Sequence, residues 1–259
     1  MATFLFDQII FGPVKSRRLG VSLGVNLLPT DSKVCSFDCI YCECGWNPKK
    51  REKKAILPTR EEVSAKMEEK LLEMTASGEL PDVITFAGNG EPTLHPEFEG
   101  IIEDTINLRN QLTPKARIAV LSNATMLHKP SVVRALMKVD DNIQKLDSAF
   151  EETIRKMDCP SSNFRLADVV ENLKQFNGQV ILQTMFLRGT FKGETIDNTV
   201  EKEVAVWLKL VAEIKPSQVM IYTIDRDTPA SGLEKVKVEE LQQIGERVRL
   251  LGIKVQVSG

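Results

Sequence analysis

Short β-rich runs alternate with longer amphipathic stretches along the whole 259-residue chain, and this alternation limits the fold more than any other feature. We interpret as strands the runs at residues 21–28, 83–87, 117–121, 143–146, 180–185, 218–223 and 254–257. The helical patterns between them cover about residues 59–76, 96–110, 131–137, 166–176, 201–214 and 238–251. Such alternation is typical of parallel strands joined by crossover helices.

The number of strand–helix units predicts an α/β fold, specifically a partial (β/α)6 barrel of the TIM type with parallel strands. Periodicity alone leaves a doubly wound sheet as the alternative. The first helix has clear ends, because Thr59 and Glu62 form a capping box and Gly78 is a stop signal. In a barrel, functional residues are expected at the carboxyl ends of the strands and in the loops that follow.

Length and composition describe an ordinary globular chain, and we predict one domain over residues 1–259 with a C-terminal extension from about residue 225. The 34 basic residues nearly balance the 36 acidic ones, which gives no support for a nucleic-acid-binding protein, although a local basic patch stays open. The N-terminus lacks the features of a secretory signal, and no apolar run approaches the ~20 residues of a membrane span. We therefore expect a cytoplasmic protein without membrane contact.

Four of the five cysteines lie within ten residues, in a predicted loop at residues 34–46 that follows the first strand. They are Cys35, Cys39, Cys42 and Cys44. In a reducing compartment such a cluster indicates metal ligands rather than disulfides. A zinc site usually needs a second C-x-x-C pair or nearby histidines, which this chain lacks, so zinc is the less favoured alternative. Three thiolates can instead hold a [4Fe-4S] cluster with one iron left open.

The spacing C-x3-C-x2-C, with Tyr41 just before the last cysteine, resembles the signature of the radical S-adenosylmethionine (SAM) superfamily. The resemblance implies that Cys35, Cys39 and Cys42 bind a [4Fe-4S] cluster and that SAM chelates the fourth iron. It also implies reductive cleavage of SAM to methionine and a 5′-deoxyadenosyl radical. Cys44 is then an ordinary cysteine or an auxiliary one, and Cys159 is expected to be inert packing.

A second motif, Gly88-Asn89-Gly90-Glu91-Pro92, follows the second predicted parallel strand. Glycines let the backbone approach a ligand closely, and a carboxylate beside them can hold an ammonium group. A plain glycine turn is the alternative interpretation. The motif is similar to the G-G-E-P sequence of the superfamily, which implies recognition of the SAM amino group, with Asn89 replacing a glycine.

Polar residues at three further strand ends are candidates for cofactor contacts. Ser122 and Asn123 end the third strand, and the family resemblance implies contact with the SAM ribose or carboxylate; an Asx turn or helix cap is the alternative. Asp147 ends the fourth strand and is a candidate for a ribose hydroxyl or for a helix cap. Gln183 is a polar side chain in an apolar strand, expected either in the pocket or on the polar side of the strand.

Basic residues near the expected mouth of the site are candidate substrate contacts. Arg226 lies between two aspartates after the sixth strand and is a candidate for binding an anion, with a surface salt bridge as the alternative. Lys49, Lys50 and Arg51 follow the cysteine loop. Charge runs are usually solvated, but this one could receive a phosphorylated substrate, an RNA or an acidic partner protein.

The string F-G-P-V-K-S-R-R-L-G at residues 11–20, followed by the C-S-F-D-C-I-Y-C loop, resembles a compact group of radical SAM proteins near the wyosine-type tRNA-modifying synthases. The extra cysteines of those synthases are absent before Cys35. Three functions stay open: an enzyme acting on a small molecule or modified nucleoside, an activase that places a glycyl radical on a partner enzyme, or a non-catalytic iron–sulfur or zinc module. For the enzymatic functions we expect an electron donor of flavodoxin or ferredoxin type.

Overall fold

The computed structural model describes residues 4–16, 19–49, 55–161 and 163–259 of the chain. Its strands fall into an eight-stranded sheet and a small three-stranded sheet. The strands are β1 (Ile10–Ser16), β2 (Gly20–Val25), β3 (Val83–Phe86), β4 (Arg117–Ser122), β5 (Asp141–Lys145), β6 (Ile181–Met185), β7 (Leu187–Phe191), β8 (Glu194–Asp197), β9 (Gln218–Tyr222), β10 (Leu233–Lys235) and β11 (Lys254–Ser258).

The large sheet has the order β1-β2-β3-β4-β5-β6-β9-β11, with β1 and β11 at its edges. All neighbours from β2 to β11 pair in parallel, and only β1 is antiparallel. The parallel strands lie in chain order without a reversal, whereas a doubly wound sheet reverses direction at its switch point. The prediction of an α/β partial barrel with parallel strands is therefore confirmed.

Within the described ranges, seven helices connect the strands and shield the sheet from solvent. They are α1 (Arg60–Ser77), α2 (Phe98–Leu112), α3 (Pro130–Leu136), α4 (Glu151–Met157), α5 (Leu166–Lys174), α6 (Glu201–Ile214) and α7 (Val238–Arg249), with a short 3-10 helix at Pro92–Leu94. The predicted ends of α1 are confirmed: Thr59 and Glu62 form the capping box, and Gly78 closes the helix in the left-handed region at φ 75°.

Two layers of apolar side chains stabilise this arrangement. The larger layer lies largely between the sheet and the helices, where α1 buries Val63, Met67, Leu71 and Met74 at helical spacing. The smaller layer joins side chains of five neighbouring parallel strands, Val83, Ala119, Ile143, Ile181 and Met220. We call this set the barrel plug. These apolar side chains lie below the carboxyl ends of the strands.

The structure differs from the predicted elements in several places, and α4 lies outside the six predicted helical ranges. The first parallel strand ends at Val25 rather than at residue 28, because the Asn26 side chain bonds both the Leu28 carbonyl and the Leu28 amide and turns the chain. Strand β1 is an exposed edge strand interrupted by Pro13, which weakens its sequence signal. The small sheet β10-β7-β8 was also not predicted. Its hairpin turns at Lys192 and Gly193, both with positive φ.

Candidate cofactor site at the carboxyl ends of the strands

A pocket of about 150 Å³ opens beside the cysteine loop at the carboxyl ends of the parallel strands. Its lining contains ten of the residues predicted from the sequence: Cys35, Cys39, Tyr41, Cys42, Gly88, Gly90, Glu91, Ser122, Asn123 and Gln183. The remaining lining residues are Lys33, Phe37, Leu121 and Lys145. Residues from four strand ends and one loop therefore meet at the edge where a barrel places its functional groups.

The cysteine loop is held at both ends by hydrogen bonds. Val34 forms a parallel bridge with Gly90, so the loop begins against the glycine turn after β3. Beyond the thiols, the Asn47 side-chain oxygen accepts a hydrogen bond from the Cys35 amide at 3.0 Å. These contacts hold Cys35, Cys39 and Cys42 on the pocket wall.

The thiols differ in their protonation. Burial raises the pKa of Cys35 to about 12 and that of Cys39 well above its usual value. A hydrogen bond from the Cys44 thiol, assisted by the Lys33 ammonium, lowers the pKa of Cys42 to about 6 despite its burial. Metal binding requires thiolates, so loading this site releases protons from Cys35 and Cys39.

The glycine turn after β3 needs residues without a side chain. Gly88 and Gly90 have φ of 139° and 137°, and a Cβ atom on Gly90 would lie 1.9 Å from the Val34 carbonyl oxygen. Asn89 between them faces away from the pocket. Its amide accepts from the Phe6 amide and donates to the Phe6 and Pro29 carbonyl oxygens, each at 2.8 Å. The predicted cofactor residue Asn89 is thus engaged in holding the N-terminal segment, outside the lining.

Glu91 follows this turn and is buried in the pocket wall, 2% exposed. One carboxylate oxygen accepts the Asn123 amide at 2.6 Å, and the other accepts from the Thr93 amide and hydroxyl at 3.1 and 2.5 Å. Burial raises the pKa of Glu91 even against these hydrogen bonds. A ligand ammonium at this carboxylate would stabilise its charged form. Pro92 is buried at the start of the 3-10 helix and does not line the pocket.

At the end of β4, Asn123 forms the Asx turn that was the alternative interpretation, and it also contacts the cysteine loop. Its side-chain oxygen accepts from the Thr125 amide at 3.1 Å, which is an Asx turn. Its amide nitrogen lies 2.9 Å from the Ser36 hydroxyl and 3.5 Å from the Cys35 sulfur, so it also contacts the cysteine loop. Ser122 lines the same wall, and Ala124 adopts φ 66°.

The opposite wall carries a buried polar cluster that the sequence did not indicate. The Tyr41 hydroxyl lies within hydrogen-bond distance of the Asp147 carboxylate and, at 2.9 Å, of the Asp158 carboxyl group, and it accepts from the Lys145 ammonium. Burial, and then the Asp147 charge, raise the pKa of Asp158 to about 8. Burial would lower the pKa of Lys145, but Asp147 and its other neighbours hold it well above the usual value.

Two predicted residues take different positions on this wall. Gln183 lines the pocket and donates to the Tyr222 hydroxyl at 2.9 Å. Asp147 is fully buried behind Tyr41, where its second oxygen accepts the Met185 amide at 2.8 Å, and it is absent from the pocket lining. The sequence analysis did not predict the pocket lysines Lys33 and Lys145, because lysine is rarely buried. Each also lies two residues before a residue that was predicted, Cys35 or Asp147.

Two of the predicted substrate residues, Arg226 and Lys49, are not among the residues that line the pocket. Arg226 forms an ion pair with Glu43 at 2.6 Å and is 66% exposed. This surface pair was the alternative interpretation, and it joins the cysteine loop to the loop after β9. Lys49 is exposed, while Lys50 and Arg51 lie outside the described residues. The Cys44 sulfur lies 3.3 Å from the Gly88 carbonyl oxygen, and half-buried Cys159 donates to the Lys156 carbonyl oxygen at 3.7 Å.

No helix in the described residues is long and apolar enough to cross a membrane. No three histidine, cysteine or acidic side chains within the described ranges converge closely enough to hold a single metal ion. In a cubane iron–sulfur cluster each thiolate binds a different iron, so its ligands surround a volume and do not converge on one point.

A parallel partial barrel with a three-cysteine loop after its first parallel strand and a glycine–glutamate turn after the next defines the class of radical SAM domains. The model of the Radical SAM superfamily matches residues 30–202, about two thirds of the chain. The chain belongs to the radical SAM superfamily, as its cysteine and glycine motifs predicted.

Two curated relatives resemble most of the chain. A protein named GTPase Obg from Brachyspira hyodysenteriae is 29% identical over 238 residues, which cover 90% of this chain and 32% of that protein. The UPF0026 protein MJ1312 of Methanocaldococcus jannaschii is 29% identical over 240 residues, covering 91% of this chain and 70% of that protein. The chain thus spans about a third of the first relative's length and most of the second's.

Solved structures share the fold at low identity. A radical SAM methyltransferase from Sphaerobacter thermophilus superposes with a TM-score of 0.67 and 14% identity, covering 92% of this chain and 65% of that one. A structure of TYW1 with a lysine–pyruvate adduct bound gives a TM-score of 0.59 and 12% identity, covering 88% and 73%. These similarities confirm the partial-barrel fold.

Proposed function

We propose that this chain is a radical SAM enzyme that binds a [4Fe-4S] cluster through Cys35, Cys39 and Cys42 and binds SAM in the adjoining pocket. The observation that carries the proposal is the shared pocket: three thiols and the Glu91 carboxylate line one space at the carboxyl ends of the strands. When bound, the two cofactors supply one-electron cleavage of SAM to methionine and a 5′-deoxyadenosyl radical, which abstracts hydrogen from a small molecule or a modified nucleoside.

Different residues of the pocket have different proposed roles in binding the two cofactors. Cys35, Cys39 and Cys42 would provide the thiolate ligands of the cluster from one loop, and SAM would bind beside them. Glu91 accepts the ammonium of SAM, a charge-assisted hydrogen bond in a buried setting. Ser122, Asn123 and Gln183 supply polar contacts along the wall, and Gly88 and Gly90 let the backbone approach the ligand.

The polar cluster around Tyr41 keeps the third side of the pocket fixed. Tyr41 sits between two carboxylates and the Lys145 ammonium, so its ring has little freedom to turn. A rigid, largely buried wall helps to exclude water from a reactive radical. We place the enzyme in the cytoplasm, with its electron supplied by a donor of flavodoxin or ferredoxin type.

Anaerobic reconstitution with iron and sulfide tests the proposal directly. After addition of dithionite and SAM, we expect formation of 5′-deoxyadenosine, measured by chromatography, and a brown protein with iron–sulfur absorbance. Cys159→Ala is the matched control, because this thiol lies outside the pocket and its loss should leave product formation unchanged. A wild-type protein that takes up zinc, remains colourless and forms no 5′-deoxyadenosine would contradict the proposal and favour a structural metal module.

A further inference from the structure

Lys33 is a buried lysine two residues before the first cysteine of the loop. Only 2% of its side chain is exposed, and its ammonium lines the pocket wall together with Cys35, Cys39 and Cys42. It donates to the Gly45 carbonyl oxygen at 2.8 Å and to Asp38 at 3.3 Å. It also hydrogen-bonds the Cys42 sulfur. A full positive charge is therefore held beside the three thiols.

These contacts tie the cysteine loop to itself. Asp38 lies between the first two cysteines, and its carboxylate also accepts the Asn47 amide at 2.8 Å. Asn47 in turn holds the Cys35 amide, and Gly45 donates to the Cys42 carbonyl oxygen at 2.8 Å. Lys33 and Asp38 thus link the segments before, between and after the three thiols. The ammonium cannot leave this position without loosening the loop.

Burying an ammonium is costly unless negative charge compensates it. The Asp38 carboxylate contributes to this compensation, but its side chain is one third exposed, so solvent weakens the attraction. The three thiols beside Lys33 become permanent thiolates once they bind metal. The negative charge near the Lys33 ammonium is therefore greater in the cluster-loaded protein than in the metal-free protein.

We propose that Lys33 is a positioning residue that raises the reduction potential of the cluster bound by Cys35, Cys39 and Cys42. The inference rests on the proposed function, since it requires the cluster to be present. Reduction adds an electron to a group that the thiolates already make anionic, and a nearby buried cation stabilises that added charge. Hydrogen bonds to the sulfur ligands and local charge are established determinants of cluster potentials.

The test compares two variants with opposite expected signs. Lys33→Met removes the positive charge and the N–H···S contact at similar side-chain length. Asp38→Asn removes the opposing negative charge but keeps an oxygen that can accept from Asn47 and Lys33. Lys209→Met, on the exposed surface of α6, is the matched control for loss of one lysine charge. The readout is a redox titration of the reconstituted, SAM-free cluster, followed by electron paramagnetic resonance.

For Lys33→Met we expect the ratio of reduced to oxidised cluster at a fixed applied potential to fall by about tenfold, equivalent to ~59 mV for one electron. For Asp38→Asn we expect the ratio to rise, by roughly threefold, because the lost charge is partly solvated. Lys209→Met should match the wild type. Opposite shifts in the two variants are a signature that a purely structural role would not produce.

The outcomes separate this inference from the proposed function. If the wild-type protein forms no iron–sulfur cluster, the proposed function fails and the inference falls with it. If the wild type forms a cluster but Lys33→Met has the wild-type potential or a higher one, only the role of Lys33 is overturned. If Lys33→Met loses its cluster, Lys33→Gln, which keeps an N–H donor but lacks the charge, is titrated in its place with the same expected fall.

Discussion

The two ends of the same strands serve opposite purposes. On β5, Ile143 belongs to the apolar barrel plug, whereas Lys145, two residues further on, lines the polar pocket. Residues two apart in a strand point to the same face, so the change occurs over about 7 Å along one surface. On β6 the same step leads from Ile181 to Gln183. The plug can therefore stabilise the barrel while the pocket above it holds buried polar and charged groups.

The sharpest way to break this division is to remove a thiol from the pocket. We expect Cys35→Ala, Cys39→Ala or Cys42→Ala to abolish 5′-deoxyadenosine formation, because each substitution removes a cluster ligand. The thermal unfolding midpoint of the metal-free protein should change little. Chromatography of the product and iron analysis measure the effect. Cys44→Ala should keep most of the activity, and loss of the cluster in that variant would show that the ligand assignment is wrong.

A substitution in the plug should have the reverse effect. Ile143→Ala deletes methyl and methylene groups from a side chain that is 2% exposed, and we expect a loss of about 3 kcal/mol in the free energy of unfolding. Denaturant unfolding of the metal-free protein measures it. The folded fraction should still bind SAM with wild-type affinity once it is reconstituted. A large loss of affinity would mean that the two layers are coupled.

Glu91 tests the charge in the pocket without removing its shape. Glu91→Gln keeps one carbonyl oxygen to accept an N–H group, but it loses the charge expected to bind the SAM ammonium. A hydrogen bond to a charged group contributes about 1.5–3 kcal/mol, so we expect SAM affinity to fall roughly tenfold to a hundredfold. Calorimetry on the reconstituted protein measures the affinity. Unchanged binding, with the cluster intact, would argue against the ammonium role.

The smallest effect is expected outside the pocket, at the exposed ion pair between Arg226 and Glu43. A double-mutant cycle with Arg226→Ala and Glu43→Ala should give a coupling energy below about 1 kcal/mol, because solvent screens the pair. Denaturant unfolding of the four proteins provides the cycle. A substrate-dependent loss of activity in Arg226→Ala, with normal SAM cleavage, would instead restore Arg226 as a substrate contact.

Much of the fold and the pocket could be predicted because the local sequence patterns agree with the strands and helices of the folded protein. The seven parallel strands follow from β-rich runs, and α6 was predicted at its observed bounds. Motifs at strand ends brought ten lining residues together, since parallel strands place their carboxyl ends at one edge. The small sheet escaped prediction because its strands are three to five residues long and contain polar side chains.

The parts that could not be predicted depend on contacts between distant segments. Asp147 is as polar as Glu91, but only the fold shows that its carboxylate is hydrogen-bonded to Tyr41, which is 106 positions away. Lys33 and Lys145 carry no spacing signal, and their burial results from the way the cysteine loop folds over the strand ends. Sequence patterns identify which residue types reach the pocket edge, whereas the direction of each side chain is set by tertiary packing.

The Asn89 clamp suggests a way to recognise this architecture in other sequences. The side chain that replaces a glycine of the family motif holds the backbone of Phe6 and Pro29, so its presence indicates a segment ahead of the barrel that folds back over the glycine turn after β3. We expect asparagine at this position and such a leading segment to be inherited together. A chain with glycine there lacks these hydrogen bonds, and its N-terminal segment should pack against a different part of the barrel. The residue type at this one position of the motif would then indicate where the N-terminal segment lies.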